Sequence, residues 1–589
     1  MRDVIWFLLF PIFILSQDVQ DINPLLFNER NLRGAGVIAR VTPSGTQYVA
    51  GIVAQAFSAH FSDIKPSQQK RDKKLTNIPT VTLKNLVLET LKLDRHFVTT
   101  TTADDILSIQ VSNISLSSSA TLTGNLRDVE LKDPITFRTP FLILNAAVRI
   151  LRNSNGNPSL KLEKCAIRTQ GIRLVTKPMD PRNGKSIADA IAHDANQIFF
   201  DMICPKMEHI LANRVNQRFA LLPSKISLED SKNFDIVKVI MQAEERMKRL
   251  ANSMAQQQQQ QKPLPIRRNI IAHTAPSSRR MPVLSAQNQR IHLLRPKRQS
   301  SDDRFHLLLN SFNFSRADNL MLDYSMISAP SISVRGIELQ TSGEVYQTGQ
   351  TTPFGAGPIF LPHQVSNSML QIMISDFVPN SLMFHGHKIK LFDTRIDWNT
   401  PQFGPVMRTT CDLSTGSLFC IGDLFPALRD MLPDRNVAFA FTTLRAPAVI
   451  VQPEDKGGIH FNLLGLIRVV SDRNEPIGEM EIRIEALMKM KLTPKSVKGK
   501  VTIEEIQFKS RTPHILLQDE LDDAGFLSRE ILQRMVNDIL KQGIPIPIHP
   551  LFKLVKPKLT LFSRSMLLET NFLLNEHIIA QLTAENLVA

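Results

Sequence analysis

Gly36-Val-Ile-Ala-Arg-Val-Thr-Pro-Ser-Gly-Thr-Gln-Tyr48 is the stretch from which the fold is read. Residues 36–41 have the composition of a strand. Thr42 and Pro43 then supply a helix N-cap and first helical residue, where proline's fixed φ and missing N–H cost nothing. Val49, Val53, Phe57 and Phe61 recur every four residues, one apolar stripe on a helix of about five turns. Downstream, residues 78–175 alternate as strands, with pairs such as Val81/Leu83, Phe141/Ile143 and Leu160/Leu162. A second long helix is expected over residues 186–221, striped by Ile187, Ile191, Ile198, Met202, Ile210, Val215 and Phe219. The later half repeats this order. Strands are expected at 305–314 and 321–346. A helix at 362–378 carries Val365, Met369, Ile372, Met373 and Phe377. Strands follow at 388–398, 437–451, 460–470, 477–492 and 498–508, then a last helix at 524–541 and the proline-spaced Gly543-Ile-Pro-Ile-Pro-Ile-His-Pro550. Two halves in the same order suggest a tandem repeat of one large unit, in keeping with 589 residues being too many for a single core.

Between the halves lies a segment of different character. Residues 251–301 hold six consecutive glutamines, Gln256 to Gln261, then Pro263, Pro265, Pro276, Pro282 and Pro296. Such a composition buries too little apolar surface to offset its ordering entropy and reads as a linker. The chain's net charge of +15 invites a nucleic-acid or anionic-membrane reading. Yet nine basic residues and no acidic one fall between Lys262 and Arg298, so most of the excess belongs to the linker. No nucleic-acid partner is expected. The linker ends in Arg295-Pro296-Lys297-Arg298, the Arg-x-Lys-Arg form that secretory proprotein convertases cut; an uncut basic spacer is the alternative.

The four cysteines divide into one pair per half, Cys165 with Cys204 and Cys411 with Cys420. Neither pair has C-x-x-C spacing, so structural disulfides are expected in place of metal or redox sites. A Cys165–Cys204 bridge would tie the second long helix to a strand. Disulfides need an oxidising compartment, and the N-terminus has the pattern of a route to one: Arg2, the apolar run from Val4 to Leu15, then Ser16 and a polar segment. Residues 1–16 are therefore expected to be a signal peptide and the protein secreted, extracellular and soluble. Asn113-Ile-Ser115 and Asn313-Phe-Ser315 match the N-glycosylation pattern.

Taken in order, these segments resemble the family of bactericidal/permeability-increasing, lipopolysaccharide-binding and lipid-transfer proteins. The opening 36–48 stretch, Cys165 and Cys204, Leu322-Asp-Tyr-Ser325 with Gly343-Glu-Val345, residues 369–376 and Gly543-Ile-Pro-Ile-Pro547 carry the likeness. The resemblance implies an α+β fold: two tandem barrels of twisted antiparallel sheet wrapped round long helices, joined by a central sheet into a boomerang. Residues 17–250 and 302–589 would be the two lipid-binding barrels. Each would hold acyl chains of a phospholipid or other hydrophobic lipid. Val49, Val53, Phe57, Phe61, Met202, Ile210, Val215, Met369 and Met373 are candidate lining residues, with plain core packing as the competing role. Lys70, Arg71, Lys73 and Lys74 form a basic tip that would meet phosphate head groups, an anionic membrane surface or lipopolysaccharide. The Cys411–Cys420 pair departs from the family pattern and is expected to close a hairpin.

Catalytic constellations are missing. The chain has no Gly-x-Ser-x-Gly elbow, no His-Glu-x-x-His helix and no phosphate-binding Gly-x-x-x-x-Gly-Lys-Ser/Thr loop. His385-Gly-His387 has no third ligand nearby and reads as a turn at a strand start. Neither metal nor cofactor is expected. The sequence therefore points to a secreted lipid-binding or lipid-transfer protein, with an innate-immune lipopolysaccharide binder as the alternative. The absent nucleophile motif weighs against a secreted hydrolase.

Overall fold

The structure is a computed structural model that describes residues 20–61, 72–126, 129–175, 181–228, 242, 245, 314–400, 404–411, 420–494, 496–542, 544–545 and 552–583. The expected leader, the linker with Arg295, Lys297 and Arg298, the tip residues Lys70 and Arg71, and Asn313 lie outside these residues. So do the side chains of Phe57 and Phe61.

The strand Val37–Val41 lies inside a six-stranded antiparallel sheet. It pairs on one side with Gly336–Thr341 and on the other with Leu370–Ser375. Ser331–Ser333 forms one edge, and Ser565–Leu574 and Phe552–Phe562 complete the other side. One first-half strand is thus hydrogen-bonded between two from the second half. Glycine is required where it begins, because a Cβ on Gly36 would lie 2.1 Å from the Ser342 carbonyl oxygen. Thr42 caps the following helix α1 (Pro43–Phe61), its Oγ1 accepting from Gly45 N–H and donating to Ser368 O at 2.7 Å.

Each half has its own sheet. The first runs in the order Lys73–Leu75, Ile78–Lys92, Ile106–Leu126, Pro134–Arg152, Pro158–Gln170, with three short side strands. Register shifts at Lys84/Val87, Leu88/Thr90, Val111/Ile114 and Ala147/Val148 interrupt its ladders. Each bulge adds local twist, so the long strands curl. Asn85 and Asn113 take the left-handed backbone these bulges need, and Asn113 is exposed there. Helix α2 (Pro181–Ile210) lies against the sheet and buries Ile187, Ile191, Ala195, Ile198, Phe199 and Ile203 among Leu83, Leu122, Phe137 and Leu142. A three-residue-scale sheet of Lys225–Ser227, Leu320–Asp323 and Val345–Gln347 joins the halves a second time.

The second sheet runs Thr394–Ile396, Val437–Thr443, Ile459–Ser471, Pro476–Leu492, Ser496–Ser510, Ile544–Pro545. The two halves close their sheets by the same device. In the first, Asn216 accepts from Leu160 N–H and donates to Leu160 O, and Asn196 accepts from Thr169 N–H. In the second, helix α4 (Gln518–Gln542) does this work: Asn537 accepts from Val501 N–H and donates to Val501 O, while Gln533 accepts from Ile503 N–H. An amide side chain carries both a donor and an acceptor, so it can satisfy an edge strand as a neighbouring strand would.

Three expectations are corrected. Residues 362–378 are not a helix: Leu370–Ser375 is a strand, and the helix α3 (Phe377–Lys388) follows it. Met369, Met373 and Phe377 have helical spacing, but the side facing inwards holds Gln371, Met373 and Ser375, whose polar groups hid the two-residue period. Residues 388–398 contain only the short strand Thr394–Ile396. His385 and His387 lie on α3, not at a strand start. Among the described residues, no helix is long and apolar enough to cross a membrane.

Candidate functional site

Ile198, Met202 and Pro205 stand at helical spacing along one face of α2. With Leu86 they form the apolar wall of a cavity of about 310 Å³. Asp72, Lys73 and Asp201 complete its lining, and Lys73 Nζ meets Asp201 Oδ2 at 3.1 Å. Gln197 donates to the other Asp201 oxygen at 2.8 Å and so fixes that carboxylate. The outcome is a carbon-lined space with one lysine–aspartate pair and a further aspartate, Asp72, beside it. Pro205 has no N–H to give the preceding turn, which leaves a backbone carbonyl of α2 without its helical donor at the cavity wall. The adjacent Cys204 is bonded to Cys165 on the strand Pro158–Gln170, with Cα atoms 6.0 Å apart, which holds the helix to the sheet here. The neighbouring Lys206 ammonium is pushed below its usual range, first by burial and then by Arg214.

The other candidate residues fall into three places. Val49 and Met369 come together at a junction of the two halves, with Tyr48 and Ile52 of α1, Leu370, Phe572, Leu574 and Ile579. Ile579 belongs to the helix α5 (Glu576–Thr583), which packs on α1. Tyr48 accepts from Leu574 N–H at 3.1 Å and stands edge-on to Phe572. Further along the second long helix, Ile210 is buried and Val215 is half-buried in the π-turn Leu211–Val215; Val53 of α1 is also half-buried. Met373 is separate from all of these, packed in the central-sheet core against Ala35, Ile38, Ile359, Leu361 and Leu567. Of the basic tip, Lys73 is committed to Asp201 and Lys74 is exposed.

Cys411 and Cys420 are bonded, with Cα atoms 5.2 Å apart, and Cys420 N–H donates to Asp423 Oδ2 at the start of the short helix Ile421–Leu424. The two sulfurs are spent in the bridge and offer no thiolate to a metal.

The histidines of α3 are held in structural roles. His385 is buried, and its Nε2 lies 2.9 Å from Thr352 Oγ1, which also bonds Glu344. Burial, with Lys388 second, pushes the imidazole down to about 4. The hydroxyl sits between imidazole and carboxylate, whereas nucleophile activation needs the imidazole in the middle. His387 bonds Thr443 Oγ1 at 2.6 Å and approaches Asp21.

Sequence reading did not single out Leu86, Asp201 or Pro205. A proline inside a long apolar stripe beside a half-cystine was the available signal for the last.

Residues 315–574 match the model of the LBP / BPI / CETP family, C-terminal domain. The bactericidal permeability-increasing protein of Sebastes schlegelii is 23% identical over 259 residues, 42% of this chain and 52% of that protein. The lipopolysaccharide-binding protein of Bos taurus is 22% identical over the same length and shares. The chain spans about half the length of the curated relatives it matches. A crystal structure of lipopolysaccharide binding protein superposes over 92% of this chain and 99% of that one, with a TM-score of 0.48 and 13% identity. The family shown by these matches is that of residues 315–574, which are similar to the C-terminal domain of the LBP / BPI / CETP family.

Proposed function

We propose that the protein is a secreted lipid-binding protein of the transfer type, and that the cavity beside Met202 takes an acyl chain of a phospholipid or similar lipid. The observation that supports this most is the pairing of an apolar wall (Leu86, Ile198, Met202, Pro205) with a charged lysine–aspartate pair at the same opening. Each methylene withdrawn from water contributes about 0.8 kcal/mol, and the charged groups at the opening keep a polar head on the solvent side. Residues 17–250 and 302–589 are taken as the two barrels, each with an acyl site; the shared edge closure by Asn196, Asn216, Gln533 and Asn537 supports treating them as repeats. Transfer of a fluorescent phospholipid between vesicles is the test. Met202→Trp fills the space and is expected to lower the transfer rate at least tenfold. An unchanged rate in a folded Met202→Trp variant would remove the proposal.

The alternative of lipopolysaccharide binding draws on Lys74, exposed on the strand that follows the basic tip, and on the similarity to the bovine lipopolysaccharide-binding protein. Replacing Lys70, Arg71, Lys73 and Lys74 by glutamine should abolish endotoxin binding if this reading holds. Retained binding would exclude it.

A further inference from the structure

On the second sheet, far in sequence from Met202, a cleft of about 320 Å³ opens beneath the N-terminal segment Asn23-Pro24-Leu25. Its lining includes Arg445, Arg483, Glu485 and Glu504. Among the described residues, none of these four charges forms an ion pair. Arg445 and Glu485 are half-buried in this space, Arg483 and Glu504 stand exposed at its rim, and charges of both signs face one small opening without pairing with each other. The Arg445 Nε is buried and has no hydrogen-bond partner. Arg445 and Arg483 are close enough to repel, which together with the larger effect of burial lowers the affinity of Arg445 for its proton.

The frame around these charges is fixed. Asn23 is almost fully buried and donates to Asn462 Oδ1 at 3.0 Å. Asn462 in turn donates to Glu485 Oε1 at 3.1 Å. This chain of bonds holds one carboxylate in the cleft with its remaining lone pairs free. The segment itself is anchored by Ala446 N–H donating to Asp21 O at 2.9 Å, beside Arg445.

We infer that this cleft binds a phosphate ester carrying a primary ammonium, the chemistry of phosphoethanolamine. A guanidinium pair matches a doubly charged, multi-oxygen phosphate, and Arg445 Nε gains the acceptor it lacks. The two carboxylates would repel a simple anion, and the two arginines would repel a simple cation. A zwitterion with phosphate at one end and ammonium at the other answers both. The site is distinct from the acyl cavity and does not depend on it.

The experiment is isothermal titration of the full-length protein with O-phosphoethanolamine, inorganic phosphate and ethanolamine. Phosphoethanolamine should bind at least tenfold more tightly than either of the others. Arg483→Glu and Glu504→Lys change exposed residues that the fold does not need, and each should weaken binding at least tenfold. Met202→Trp should leave it unchanged, which separates this site from the acyl cavity. Phosphatidylethanolamine vesicles that compete with the soluble compound assign the ligand to a lipid head group; vesicles that do not compete assign it to a free phosphate ester. Equal affinity for inorganic phosphate, unaltered affinity in Arg483→Glu, or no binding at millimolar concentration would overturn the inference.

Discussion

Arg40 is a cation on an otherwise apolar strand, 1% exposed, and it binds both neighbouring strands at once. Its guanidinium meets Glu338 at 2.7 Å on one side and Gln371 Oε1 at 2.9 Å on the other, with Pro362 O at 2.8 Å. Arg40→Leu strands these partners without a counter-charge, and removing one member of such a buried pair costs about 3–5 kcal/mol. Chemical denaturation should show that loss; a change within 1 kcal/mol would mean that the pair is dispensable. A second buried cluster, Glu29 and Asp376 sharing Arg564, fastens the N-terminal segment to the hairpin at 562–565. Burial raises Glu29 from 4.5 to about 7, against the opposing pull of Arg564. The folded state therefore holds this proton more tightly than the unfolded chain. The resulting stability is fully present below pH 4.5 and is lost as pH rises to about 7. Buried His385 acts in the opposite direction over a similar range, so the comparison must be between wild type and Glu29→Gln. The stability of the wild type relative to that variant is expected to fall between pH 4.5 and about 7, and a flat difference would contradict the assignment. Neither cluster was legible in the sequence, because a single arginine in an apolar run carries no sign of which distant carboxylate it will meet.

At the scale of elements, spacing revealed what was locally encoded. The capped helix α1, the long helices α2 and α4 and the strand-to-helix disulfide follow from periodicity, capping chemistry and cysteine placement. The strand Leu370–Ser375 departs from the expected helix because its inward face includes Gln371, whose polarity is met by Arg40 and Glu569 across the sheet and by Ser366. The edge-closing amides were invisible for the same reason: their partners lie 27 to 56 residues away. Asn537→Leu leaves the Val501 N–H and C=O unpaired and should cost about 1–3 kcal/mol, while Asn537→Gln should recover part of it. Removing the Cys165–Cys204 bridge by double serine substitution should cost about 4 kcal/mol in the chain-entropy model for a loop of this length. Thermal unfolding measures both, and an unchanged midpoint for the serine variant would show that helix and strand hold together without the bond.

For the molecule as a whole, the tandem order of the halves was legible, but their interlocking was not. Val37–Val41 lies within a sheet of second-half strands, and α5 from the far end of the chain packs on α1. Arg95 meets Glu576 at 2.9 Å across the same junction. Both disulfides lie within one half, so a cut in residues 251–301 would leave no covalent link between them. The paired backbone should hold them nonetheless: after cleavage at an engineered protease site in the linker, the two fragments are expected to co-elute and unfold in one transition. Separate elution would contradict the observed strand order. The proposed acyl cavity is lined by residues from α2 and two strands, of which Ile198 and Met202 in the helix stripe and Lys73 in the basic tip were legible in the sequence. Native mass spectrometry of the purified wild-type protein beside Met202→Trp tests the lipid-binding account most directly. The wild type should carry a phospholipid-sized adduct, released on denaturation, that the tryptophan variant carries less of. A bare wild-type mass that stays bare after incubation with phospholipid vesicles would contradict it.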